Sequence, residues 1–154
     1  MIPFPPMRTI VLFTFLFSAV AGLAQVTPSR SEDESAIRAV LNAQVEAWNK
    51  GDLEGYMKGY WNSPELIFIA GATENRGYQA ALERYRKSYQ SAGREMGQLD
   101  FQELRINVLS PDAAYATGKF HLKMSNGKEP AGRFTIILRK LPEGWRIIHD
   151  HSCS

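Results

Sequence analysis

The chain holds one cysteine, Cys153, and three histidines, and both scarcities close off chemistry. A single thiol cannot form an intrachain disulfide. It also makes a poor nucleophile so near a chain end, because an attacking thiol needs a rigidly held base. In an oxidising compartment Cys153 is a free thiol or an intermolecular link. No CxxC pair, glycine-rich phosphate loop or Ser-His-Asp spacing is present, so no cofactor is expected. His121, His149 and His151 could form a three-histidine metal site only if His121 faced the other two. A subunit interface or hydrogen bonds within a sheet account for them as well, and no metal site is expected.

A basic stripe is also missing. The 18 Lys and Arg are interleaved with 16 Asp and Glu, as in ERYRKSYQ, which describes a solvated mixed surface rather than a nucleic-acid binder. No apolar run reaches the roughly 20 residues of a bilayer-spanning helix. The longest, Ile10 to Ala24, follows Arg8, carries small residues at Gly22 and Ala24, and gives way to the polar TPSRSEDES. That layout is a secretory signal cleaved after Ala24, with Met7 an alternative start. The expected product is secreted or periplasmic, not membrane-bound after cleavage, with a linker at 25–32 and a domain over 33–152. Removing residues 1–24 removes one charged residue, Arg8, so the net charge of +2 falls by one.

What is present is one domain's worth of patterned sequence, with 44% hydrophobic residues in 154. Ser31 and Glu34 suggest a capping box, and Ile37, Val40, Leu41, Val45 and Trp48 recur at helical spacing up to Asn49–Gly51. Asp52 can cap a short second helix carrying Tyr56 and Tyr60, closed by Pro64. ELIFIAG (65–71) has the content of a strand, and the 73–77 turn leads to a third helix facing inward with Tyr78, Ala81, Leu82, Tyr85 and Tyr89. After Gly97 the period becomes alternating: LDFQELRINVL, AAYATGKFHLKM, EPAGRFTIILRKL and WRIIHDHS are strands, with Asn126-Gly127 the strongest hairpin signal. The order is α+β, with a curved antiparallel sheet wrapping helices.

This element order, together with AWNKGDLEGY (47–56), ENRGYQAAL (74–82) and GRFTIILRKLPEGWRIIHDHS (132–152), resembles the nuclear transport factor 2-like superfamily. Within it the chain is similar to exported SnoaL-like proteins and to the association domain of calcium/calmodulin-dependent protein kinase II. The resemblance implies a cone: a strongly curved antiparallel sheet wrapped around three N-terminal helices, with a pocket between them. It also implies dimerisation through the outer sheet face, where Trp145 and Ile147 would otherwise leave an apolar patch. The kinase domain shows the spacing of Trp145, His149 and His151. Its pocket arginines, however, correspond to Phe120 and Ile136, which implies a more apolar pocket, whereas Tyr56 matches a pocket-lining tyrosine.

Strict alternation in the last strand would put Trp145, Ile147, His149 and His151 on one face and Arg146, Ile148, Asp150 and Ser152 on the other. The resemblance turns the Asp150 face inward. There Asp150 is a candidate general acid or base, working with a tyrosine such as Tyr56 in a cofactor-independent lyase or isomerase of SnoaL type. Alternatively it is a structural carboxylate held by Arg133, Arg146 or backbone amides. Trp48, Tyr56, Tyr60, Trp61 and Phe68 line a pocket or fill the core, and Tyr60 and Trp61, being adjacent, cannot both face inward. The expected function is binding of a small apolar or aromatic molecule by an exported homodimer. The rivals are the enzyme and a structural oligomerisation module. Export predicts that expression with a functional secretion pathway yields a chain beginning near Gln25, read by N-terminal sequencing; an intact cytosolic chain would contradict it.

Overall fold

The computed structural model describes residues 29–154, so the signal expected at 1–24 lies outside the described residues. Helix α1 spans Arg30–Asn49 and starts inside the segment expected as linker. Its cap is Ser29, not Ser31: the Ser29 hydroxyl accepts from the Glu32 amide while the Glu32 carboxylate accepts from the Ser29 amide. Ile37, Leu41, Gln44 and Trp48 form its buried stripe.

Asp52 caps α2 (Leu53–Met57), which stops before Pro64. Strand β1 (Ile67–Ala70) turns at Gly71, where φ is 59°, into β2 (Thr73–Arg76), a strand where the sequence suggested only a turn. Helix α3 (Tyr78–Tyr85) continues into a π-helical turn, Arg86–Gln90. Four long strands follow: β3 (Gln98–Ser110), β4 (Ala113–Lys123), β5 (Ala131–Leu141) and β6 (Gly144–Cys153).

The sheet order is β2-β1-β6-β5-β4-β3. The sheet is mixed rather than all antiparallel, because β1 runs parallel to β6, and it is open, with β2 and β3 at its edges. Gly59–Trp61 extends the β1 side along the first half of β6, where the Trp61 amide donates to Ile147 and the Ile147 amide to Gly59. The third helix follows a strand, as the sequence order implied, with β2 added between them.

Two register breaks shape this sheet. In β6, Leu138 faces Ile147 while Ile137 faces His149, so Ile148 is an extra residue. The bulge inverts the alternation: Trp145 and Ile147 are buried before it, Asp150 after it, and His151 is exposed. Strict alternation therefore failed here. Trp145 and Ile147 are core residues, and the apolar surface patch expected from them does not exist. In β3 the register breaks between Gln102 and Arg105, around Glu103 at φ 51°. That left-handed residue is held by ion pairs to Lys119 of the adjacent β4 and Arg133 of β5 beyond it.

Helix α1 docks at both ends. At its start the buried Asp33 accepts from Lys140 Nζ at 2.7 Å and from Trp145 Nε1 at 3.1 Å. At its end Asn49 exchanges hydrogen bonds with the Leu99 backbone, and Trp48 Nε1 donates to the Met96 carbonyl. Asp33→Ala would strand the buried indole N–H. We expect a loss of about 1–3 kcal/mol in urea unfolding, whereas Lys140→Gln, at a partly exposed partner, should cost less.

Candidate functional site

Between the inner sheet face and the helices lies a cavity of about 340 Å³. Its walls are rich in aromatic rings because three elements turn rings the same way: Trp48 from α1, Tyr56 and Tyr60 from α2 and the turn after it, and Tyr85 and Tyr89 from α3 and its π-helical extension. Trp48 packs edge-on against Tyr56 and Tyr89, with ring centroids 4.9 and 4.8 Å apart. Phe120 and Ile136 supply the sheet side.

At the buried end sits Asp150, brought inward by the β6 bulge. The Tyr60 hydroxyl donates to Asp150 Oδ2 at 2.7 Å, and the Ser152 hydroxyl donates to Oδ1 at 2.8 Å. Tyr60 is also one corner of a triangle of hydroxyls, 3.4 Å from Tyr56 and 3.2 Å from Tyr85, with Tyr56 and Tyr85 3.3 Å apart. The arginines expected to hold Asp150 are elsewhere. Arg146 donates to the carbonyls of Trp145 and Glu143, and Arg133 pairs with Glu103.

Burial dominates and raises the Asp150 carboxyl above the usual carboxylate range, although the Tyr60 and Ser152 bonds, and then the charges of His149 and His151, pull the other way. Burial, reinforced by the charge of Asp150, also pushes the Tyr56 and Tyr60 hydroxyls up. Burial does the same to Tyr85, with Tyr56 and Asp150 adding to it. All three tyrosines thus stay protonated at neutral pH. Tyr60 commits its proton to Asp150, while the protons of Tyr56 and Tyr85 can turn between each other, Tyr60 and an acceptor in the cavity.

Of the residues singled out from sequence, the structure brings Trp48, Tyr56, Tyr60, Phe120, Ile136 and Asp150 to this cavity, and Phe68 as well. Trp61 is not among its lining residues. Its backbone is tied to Ile147, and of the adjacent pair it is Tyr60 that turns inward. The histidines are not brought together: His121 is clamped between Asp100 and Glu129 by hydrogen bonds of 2.9 and 3.1 Å, while His149 pairs across the sheet with Ile137 and Ile67. Among the described residues no group of three His, Cys, Asp or Glu side chains could hold a metal ion.

Sequence reasoning missed Tyr85, Ser152 and Arg84 as cavity residues. The signal for Tyr85 was available, since it lies on the inward face of the third helix. Ser152 follows Asp150 at strand spacing, but its role as a donor needed the geometry.

The sequence profile of the SnoaL-like domain family matches residues 37–153. A nuclear transport factor 2-like protein of unknown function from Shewanella oneidensis MR-1 is 35% identical, with the match covering 79% of this chain and 98% of that one, at a TM-score of 0.73. A nuclear transport factor 2-like superfamily protein from Salmonella enterica serovar Typhimurium LT2 shares 24% identity over 80% of this chain and 92% of its own, at a TM-score of 0.65. A protein of unknown function from Pseudomonas putida KT2440 has the same fold at 16% identity, covering 82% of this chain and 88% of that chain, at a TM-score of 0.68. No curated relative matches the chain. A family profile spanning the domain, a relative at this identity and a shared α+β fold agree: the chain belongs to the SnoaL-like domain family of nuclear transport factor 2-like proteins.

Proposed function

We propose that this is an exported protein that binds a small, mainly apolar or aromatic molecule in the cavity beneath the sheet. The observation that carries the reading is the pairing of an aromatic-walled space of about 340 Å³ with a few convergent polar groups at one end. That volume and that division of polarity suit a small ligand. The rings supply contact area, and the Tyr56–Tyr60–Tyr85 hydroxyls with Asp150 fix the orientation of one polar group. Domains of this family often bind small hydrophobic ligands, which supports the same reading. Trp48, buried at the wall, reports occupancy through its fluorescence.

A second reading, a cofactor-independent lyase or isomerase, is favoured by one observation: Asp150 is buried with hydroxyl partners and no ion pair. A carboxylate in that setting exchanges a proton near neutral pH more readily than a salt-bridged one, and adjacent hydroxyls can stabilise charge developing on a carbonyl oxygen. Acting as a base, Asp150 must be ionised, so kcat/KM would rise with pH through its raised pKa.

Asp150→Asn separates the readings. Ligand binding should survive in either case, while turnover, if there is any, falls by roughly 10²–10⁴. The same variant has a stability signature. A raised folded-state pKa means that the contribution of Asp150 is fully present below the ordinary carboxylate range and is lost as pH rises through the folded value. Asn cannot ionise, so the stability difference should shift in favour of the variant over that window. A difference independent of pH would show that Asp150 is not raised.

The homodimer remains part of the proposal, on different residues from those first expected. Tyr115, Ile137, His149 and Ile67 stand in one row across β4, β5, β6 and β1, and Ile137 is 41% exposed. A second copy covering this row would bury it. Light scattering should report twice the chain mass, and Ile137→Glu should halve that value without loss of helical and sheet signal. A parent chain that stays monomeric at all concentrations would remove the dimer.

A further inference from the structure

Among the described residues two charged side chains line the cavity, the buried Asp150 and the half-buried Arg84. Arg84 stands in the last turn of α3, beside the π-helical turn that carries Ser88 and Tyr89 to the same rim. It makes no ion pair with any described carboxylate, in contrast to Arg86 two residues on, which is engaged by Glu83 and Glu54. The two charges act on different rings. Arg84 opposes the burial that raises the Tyr89 hydroxyl, whereas Asp150 adds to the burial that raises Tyr56 and Tyr60. A molecule in the cavity therefore meets a cation and a hydroxyl from α3 and its π-helical turn, apolar rings, and from β6 an acid among neutral hydroxyls.

We propose that the ligand is a small organic acid, with its carboxylate on Arg84 and Ser88 at the rim and its apolar body against Trp48 and the phenylalanines. This rests on the cavity being a ligand site, as proposed above. A guanidinium presents paired donors that match a carboxylate, and one at a half-desolvated rim gains more from the pair than one in open water. Asp150 fixes the polarity of entry, because a carboxylate pushed to the buried end would meet a like charge. Any group reaching that end must be a neutral donor or acceptor, such as a hydroxyl or carbonyl. An amine is the competing class, since aromatic walls and a carboxylate suit a cation. Against it, both Asp150 oxygens already accept hydroxyl protons.

The test uses matched probes on the purified chain, followed by Trp48 fluorescence or calorimetry: 3-phenylpropionate, 3-phenylpropanamide and 3-phenylpropylamine, with indole-3-acetate and indole-3-acetamide as a second set. We expect each acid to bind at least tenfold more tightly than its amide, with the preference shrinking as salt is added. Arg84→Gln should reduce that preference to within twofold, chiefly by weakening the acid, and amide binding that persists in the variant shows that the cavity is intact. Arg84→Lys should keep part of it. Equal binding of acid and amide, an acid preference that survives in Arg84→Gln, or tighter binding of the amine would each overturn the carboxylate proposal and leave the cavity reading standing. Failure of every probe to bind would count against both.

Discussion

One extra residue in β6 decides what faces what. A regular strand inverts its side chains at each step, so a strand that buries Trp145 and Ile147 must also bury His149 and His151 and expel Asp150. Inserting Ile148 between paired positions resets the phase. The first half of β6 can then serve packing, with Trp145 lying under Asp33 of α1, and the second half can serve the cavity, with Asp150 and Ser152 turned inward. Glu103 does the equivalent in β3. Leu99 and Val108 are both buried although their spacing of nine would place them on opposite faces of an unbroken strand. The sheet bends at such points, and they are where its inner face changes from core to cavity wall.

These breaks mark the limit of what could be read in advance. The helices and long strands were legible because apolar spacing is set by burial, which repeats over many residues: Ile37, Leu41 and Trp48 on one stripe, then alternation in β4 and β5. The aromatic cavity wall was partly legible for the same reason, since Trp48, Tyr56 and Tyr60 recur at helical steps. The β6 bulge was not legible, because IIHD contains no glycine or proline to announce it and several single-residue shifts fit the letters equally well. The parallel β1–β6 pairing was also hidden. A four-residue strand carries too little pattern to name its partner, and β2, reading TENR, has the composition of a turn. The family resemblance placed Asp150 inward correctly, where alternation from Trp145, a core residue, would have sent it outward.

The surroundings of Asp150 are unfavourable for folding and orderly all the same. Burying an ionised carboxylate among hydroxyls, without an ion pair to it, costs more than pairing it with an arginine. The chain has basic residues on the same sheet, yet Arg133 and Arg146 are spent on Glu103 and on carbonyls. Destabilisation at this one point is offset by an otherwise satisfied interior: among the described residues no buried side-chain nitrogen or oxygen lacks a partner. A buried group held at a cost, inside a structure without other such costs, is the pattern expected where a side chain faces a ligand rather than the fold.

The choice of hydroxyls over guanidinium groups around Asp150 has a chemical consequence. An arginine at that distance would lock the carboxylate in its ionised form and fill the space beside it with a planar group that cannot give up its proton. Tyrosine hydroxyls leave the acid titratable, and each can accept as well as donate. Tyr60 ties the carboxylate to a ring held by the backbone of the Gly59–Trp61 segment, while Tyr56 and Tyr85, at 3.2 to 3.4 Å from Tyr60 and from each other, form long bonds that a better acceptor could replace. A carbonyl or hydroxyl entering the cavity would compete with weak partners rather than break a strong pair. In the proposed ligand site the fixed bond, Tyr60 to Asp150, holds the geometry, and the exchangeable ones would admit a guest.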